Sequence, residues 1–131
     1  MTDERIWIVL PLPTRVLSPN CRKYTRRLQY MHRQAAQKQK RMTVEAIEAR
    51  GCRGLNWDKC RVSVKAYFKN KRSRDEDNFM GSLKHMYDGI VAAGVVPDDN
   101  RRHMIRELPD LENLDKDAPR MEITITREDD E

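Results

Sequence analysis

Cys60, Val62, Val64, Ala66 and Phe68 alternate with Arg61, Ser63, Lys65, Tyr67 and Lys69, and no other feature restricts the fold of this chain as much. Side chains of a strand point to opposite faces in turn, so a period of two over this length predicts one long strand buried on one face. Such a strand needs partners. Met121, Ile123 and Ile125, interleaved with Glu122, Thr124 and Thr126, repeat the pattern near the end of the chain. Near its start, Ile6, Trp7, Ile8, Val9 and Leu10 form a continuous apolar run that stops at Pro11 and Pro13. That run predicts a buried strand ending in a proline-stiffened turn.

Helical spacing fills the intervals. Tyr24, Leu28, Met31 and Ala35 recur on one side of a basic amphipathic helix that breaks near 37–41. Thr43 is placed to cap a second piece running through Ile47 and Ala49 to Gly51. Leu83, Met86, Tyr87, Ile90 and Val91 mark the apolar face of a helix from Asn78 to Ala93, stopped by Gly94. The connection from Val95 to Arg120 is long and carries at most a short strand near Met104 to Leu108. This order predicts an α+β domain, a small mixed sheet packed with two to three helices, in preference to a doubly wound fold. A chain of 131 residues suits one domain, here 1–127, followed by an acidic tail, 128–131, loose in solution.

Charge narrows the choice of partner. The net charge is +5, yet no acid occurs from Arg5 through Val44, where Arg22, Lys23, Arg26 and Arg27 stand close together. A polyanion is the natural ligand of such a surface. Cys21, Cys52 and Cys60 form no CxxC pair and the three histidines are far apart, so neither a disulfide framework nor a zinc site is expected. A reducing cytoplasm fits this usage. The run Ile6 to Leu10 is too short for a signal segment or a membrane span, so no membrane role is expected.

Chemistry concentrates between Lys71 and Asn100. If Asp75 and Asp77 continue the extended backbone, their spacing puts both carboxylates on one side, whereas in a helix they would diverge by about 200°. Two carboxylates about 4 Å apart repel by roughly 4 kcal/mol at an effective dielectric near ~20, a repulsion that a bound Mg²⁺, or Mn²⁺ in its place, removes. Asp99, on the turn after the helix, returns to the same point if that helix packs back on the sheet. Its neighbour Asp98 is not assigned to the metal. One of Asp75, Asp77 and Asn78 is expected to cap the helix instead. Lys84 and Asp88, at i and i+4, form either a surface ion pair or a lysine reaching for phosphate with an acid orienting it. Lys71, Arg72 and Arg74 immediately before the acids, with Asn78 and the Arg22–Arg27 group, are the expected DNA contacts.

The pattern has a counterpart. Basic residues precede an Asp-x-Asp-Asn element (Arg72, Arg74, Asp75, Asp77, Asn78), a helix follows with a lysine and an Asp-Gly step, and then comes Gly-Val-x-x-Asp-Asp, Gly94 to Asp99. In these residues, and in its two terminal strands, the chain resembles the RusA family of Holliday-junction resolvases, small phage and prophage endonucleases that resolve four-way DNA junctions. The segment 33–58 adds little to the likeness. The resemblance implies an α+β homodimer with one Mg²⁺-dependent site per subunit, nicking opposed strands symmetrically, with no small-molecule substrate. It implies Asp75, Asp77 and Asp99 as metal-binding catalytic acids and Lys84 as the essential lysine. The family pattern places that lysine four residues after the second Asp, where this chain has Gly81, so Lys84 matches only with three extra residues. Exposed parts of the Phe79–Val91 helix and the edge of the last strand are the candidate dimer surfaces. Two other readings remain: a basic DNA-binding or regulatory protein without catalysis, and a metal nuclease acting on other branched or duplex DNA.

Overall fold

In a computed structural model, which describes residues 4–72 and 74–128, the 60–69 alternation forms the strand on which the domain is built. Counting strands and helices along the chain, β1 is Arg5–Leu10, α1 Arg26–Ala49, β2 Cys60–Phe68, α2 Glu76–Gly81, α3 Lys84–Ala92, β3 Met104–Arg106, β4 Asp110–Leu114 and β5 Arg120–Arg127, with a single 3₁₀ turn at Arg15–Leu17. The five strands form one mixed sheet in the order β1-β5-β2-β3, and β4 continues along β2 beyond β3. β5 is antiparallel to both neighbours, while β3 and β4 run parallel to β2. The protein is therefore an α+β domain, a mixed five-stranded sheet with three helices.

Alternation decides which face is covered. Val62, Val64, Ala66 and Phe68 of β2 and Met121, Ile123 and Ile125 of β5 are buried together with Ile6, Ile8 and Leu10 of β1. The same core takes in Ile47 of α1 and Leu83, Met86, Tyr87 and Ile90 around α3. The run Ile6 to Leu10 is not buried on both faces as expected. β1 is the outer strand of the sheet, and Trp7 and Val9 point away from the core, 44% and 41% exposed. β5 lies between β1 and β2 and has no free edge to offer a second copy.

Three helical expectations are corrected. The segment 26–49 is one unbroken helix of 24 residues. Thr43 does not cap a second piece; it is buried within α1, and its hydroxyl donates to the Gln39 carbonyl one turn back at 2.8 Å. Thr25 is the actual N-cap, its hydroxyl accepting the Leu28 N–H at 3.1 Å. The stripe Tyr24, Leu28, Met31 and Ala35 is not a core face either: only Thr43 and Ile47 of α1 are buried, and Tyr24 and Met31 stand in solvent.

The helix expected over 78–93 is two helices. The helix is interrupted at Ser82 and Leu83, where the Leu83 N–H returns to the Met80 carbonyl at 3.0 Å in a tighter turn. Gln39 of α1 spans this step, its amide donating to the Ser82 carbonyl and accepting the Met86 N–H, both at 3.0 Å. α1 and α3 pack closely at Gly89, where a Cβ would stand 2.7 Å from Thr43 Cβ and 2.9 Å from the Lys40 carbonyl oxygen. Gly94 (φ +78°) ends α3 as expected, with Gly94 N–H to Val91 and Val95 N–H to Ile90 closing the last turn.

β4 carries no sequence signal for a strand. Asp110, Glu112 and Asn113 are poor strand formers, yet the segment pairs with β2 from Lys65 to Phe68 through a register shift. At the C-terminus, Glu128, expected to open the loose tail, is bonded to the sheet region. The Glu128 N–H donates to the Lys59 carbonyl at 2.9 Å, and its carboxylate accepts two bonds from Arg61 at 3.0 and 3.3 Å. The rest of that tail, 129–131, lies outside the described residues. Among the described residues no helix is long and apolar enough to cross a membrane.

Candidate nucleic-acid interface

Asp75 is the residue that turns strand into helix. Its backbone is still extended (φ −92°, ψ 118°), and its carboxylate accepts the N–H groups of Asp77 at 2.9 Å and Asn78 at 3.2 Å. It is the N-cap of α2, as expected of one residue in the trio. Asp77 already belongs to the first helical turn, so the period-two convergence expected of the two acids does not occur. Both side chains stay exposed beside the N-terminus of α2, where negative charge is favoured. Asn78 is engaged elsewhere, its side-chain oxygen accepting the Ser18 hydroxyl at 3.0 Å.

The cations before α2 divide by role. Arg74 folds back over the Phe68 ring, 3.6 Å from its centroid, and donates to the Asn70 and Arg72 carbonyls at 3.3 and 3.0 Å. Partial burial, then the nearby Arg72 charge, draws its pKa below the ordinary arginine value. Arg74 is thereby tied to Asn70, Arg72 and Phe68 of its own chain. Lys71 and Arg72 are exposed, and no carboxylate among the described residues pairs with them. Together with Arg74 and Glu76 they form one wall of a cleft of about 710 Å³, whose other wall is Pro109 to Leu114. Asp110 and Glu112 thus face this basic loop, a juxtaposition hidden in the sequence by the long stretch of chain between them.

Asp99 sits in a different setting. Its carboxylate accepts Arg106 Nη2 at 2.7 Å, and the same nitrogen reaches the Asp99 carbonyl at 3.2 Å. The Arg106 guanidinium also lies over the Tyr87 ring, 4.4 Å from its centroid. Burial pushes the Tyr87 phenol up to about 12, against the opposing Arg106 charge, so it stays protonated. Asp98 closes the turn, accepting the Asp99 N–H at 2.7 Å and the Asn100 amide at 3.1 Å. This turn leads into β3, which pairs with Cys60 to Val62, whereas Asp75 follows the far end of β2. The strand from Val62 to Phe68 alone spans roughly 20 Å.

The three acids therefore do not form the expected metal centre. Among the described residues no group of three or more His, Cys, Asp or Glu side chains is placed to hold a metal ion. Arg106, which no spacing rule singles out, holds Asp99 where a metal ion was expected. Lys84 opens α3 in an exposed position and does not pair with Asp88; the Asp88 carboxylate lies instead 3.7 Å from His85 Nδ1.

The remaining cations lie on the approach to α1. Arg22 donates to the Tyr24 hydroxyl at 2.6 Å, and Lys23 to the Cys21 carbonyl at 2.8 Å. Arg26 and Arg27 begin α1 in exposed positions, with no acid in its first turn. Cations at a helix N-terminus oppose the backbone dipole, an arrangement that a bound anion relieves. The chain matches no protein-family model and no curated protein.

Proposed function

We propose that the protein binds branched DNA and cuts it as a Mg²⁺-dependent endonuclease of the RusA type, resolving four-way junctions as a cytoplasmic homodimer. The observation that carries the DNA part is the pair Lys71 and Arg72 in the wall of the cleft of about 710 Å³, cations without acidic partners among the described residues, followed along the chain by Asp75 and Asp77, acids without cationic ones. Arg26 and Arg27 at the start of α1 supply a second cationic surface. Both neutralise phosphates without reading bases, which suits a ligand recognised by shape. The cutting activity, the metal and the dimer rest on the resemblance of the Asp75 to Asp99 segment.

A second reading, DNA binding without catalysis, draws support from the bonds that occupy Asp75 and Asp99. Incubating the protein with an end-labelled four-way junction and a matched linear duplex, with and without Mg²⁺, separates the two. Paired symmetric nicks in the junction alone support resolution. Junction binding with no cleavage at any Mg²⁺ or Mn²⁺ concentration leaves the binding protein, and equal cutting of both substrates leaves a nuclease without junction selectivity.

A further inference from the structure

The seam between α1 and α3 carries a second cluster of groups. His32 comes from α1 and His85 from the first turn of α3, their ring centroids 5.9 Å apart and edge to face at 74°. Neither ring is hydrogen-bonded among the described residues. Asp88, the acid beside His85, is 3.7 Å from its Nδ1, beyond hydrogen-bond range. Each neutral imidazole therefore keeps one free N–H donor.

The surroundings choose the sign of the ligand. Lys23, just before α1, and Lys84, at the start of α3, act on His32; Lys84 and Lys40 of α1 act on His85. Against these ammonium groups stands Asp88 alone. Such a field opposes a metal cation between the rings and favours an anion. Burial first, then Lys23 and Lys84, holds His32 below the usual imidazole range. Burial also lowers His85, Asp88 opposes it, and His32, Lys84 and Lys40 add to the lowering.

We propose that His32, His85, Lys40 and Lys84 form a phosphate-binding subsite that takes a phosphodiester of a nucleic-acid strand and tightens as the imidazoles protonate. A phosphate bound at the ring edges would take an imidazole N–H on each of two oxygens, in charge-assisted bonds of roughly 2.8 Å once the rings protonate. Lys40 and Lys84 add positive charge nearby. Bound phosphate favours the imidazolium form, so both histidine pKa values are higher in the bound state than in the free one. Binding then takes up protons, and affinity rises as pH falls through the histidine range. Only the identity of the phosphate's carrier rests on the nucleic-acid reading above.

The test follows the imidazole C–H signals of the full chain by NMR across about pH 5 to 8, alone, with inorganic phosphate, and with a short DNA duplex. The titration midpoints of His32 and His85 are expected to rise by about half a unit or more with either ligand. In parallel, duplex affinity should rise about tenfold between about pH 7.5 and 5.5 for the native chain, and less than about threefold for His32→Gln/His85→Gln. Should that double variant fail to fold, the native titration decides alone. Midpoints that stay put with both ligands overturn the subsite even if junctions are bound and cut. Midpoints that move with phosphate when no DNA binds keep the subsite and remove the nucleic-acid reading. A response to Zn²⁺ without one to phosphate assigns the pair to a metal and overturns the proposal.

Discussion

The two acidic segments of this chain stand in opposite electrostatic conditions. At the β2–α2 junction Asp75 and Asp77 meet only backbone N–H groups and solvent, beside Lys71 and Arg72, which have no acidic partner among the described residues. At the turn before β3, Asp98 is bonded within its own loop and Asp99 is held by Arg106, itself stacked on Tyr87. The first segment leaves its charges to solvent; the second satisfies them internally. Matching letters in a motif do not imply matching availability, because a carboxylate already held by a guanidinium has to lose that partner before it can serve another.

The contrast can be pressed hardest at Asp75. Asparagine caps a helix as well as aspartate does, so Asp75→Asn should leave the melting temperature unchanged. If the carboxylate is catalytic, the same change lowers junction cleavage by about a hundredfold or more while binding persists. Cleavage near the native rate in this variant would reduce Asp75 to a cap. Asp75→Ala removes the cap too and should lower stability by about 1 kcal/mol, read by urea unfolding.

At the closed segment, Arg106→Ala should destabilise by about 1 kcal/mol, a value discounted because both partners are about one-third exposed. A double-mutant cycle with Asp99→Ala should show that the two losses are not additive. Full additivity would mean that the pair is not the lock described here. The smallest effects belong to the loop cations. Arg72→Ala should flatten the salt dependence of DNA binding by about one unit of slope with little change in stability. Arg74→Ala should do the reverse, destabilising the fold because the guanidinium covers the Phe68 ring. An unchanged slope for the Arg72 variant would take that residue off the DNA surface.

The strands and the stops of this fold were legible in the sequence wherever periodicity and burial coincide. β2 and β5 follow their alternation residue by residue, and Gly51 and Gly94 end the helices they were expected to end. β4 was hidden because backbone pairing with β2, not side-chain character, makes Asp110–Leu114 a strand. Helix continuity misled in both directions. The polar stretch 37–41 looks like a break but is held in α1, with Gln39 bonded across to α3, while apolar periodicity from Phe79 to Val91 runs through a real break. At the site, the cap among Asp75, Asp77 and Asn78 was readable from residue type. Arg106 against Asp99 and His32 against His85 were not, because tertiary packing alone brings those partners together.

The step at Ser82 and Leu83 bears on the lysine that the family pattern places earlier. Because α2 and α3 are separate helices joined across a tight turn, and Gln39 anchors that turn to α1, residues can be added to or removed from the α2 side without rotating α3 against its neighbour. On the RusA-type reading proposed above, the three-residue offset of Lys84 is a change in spacer length at this turn.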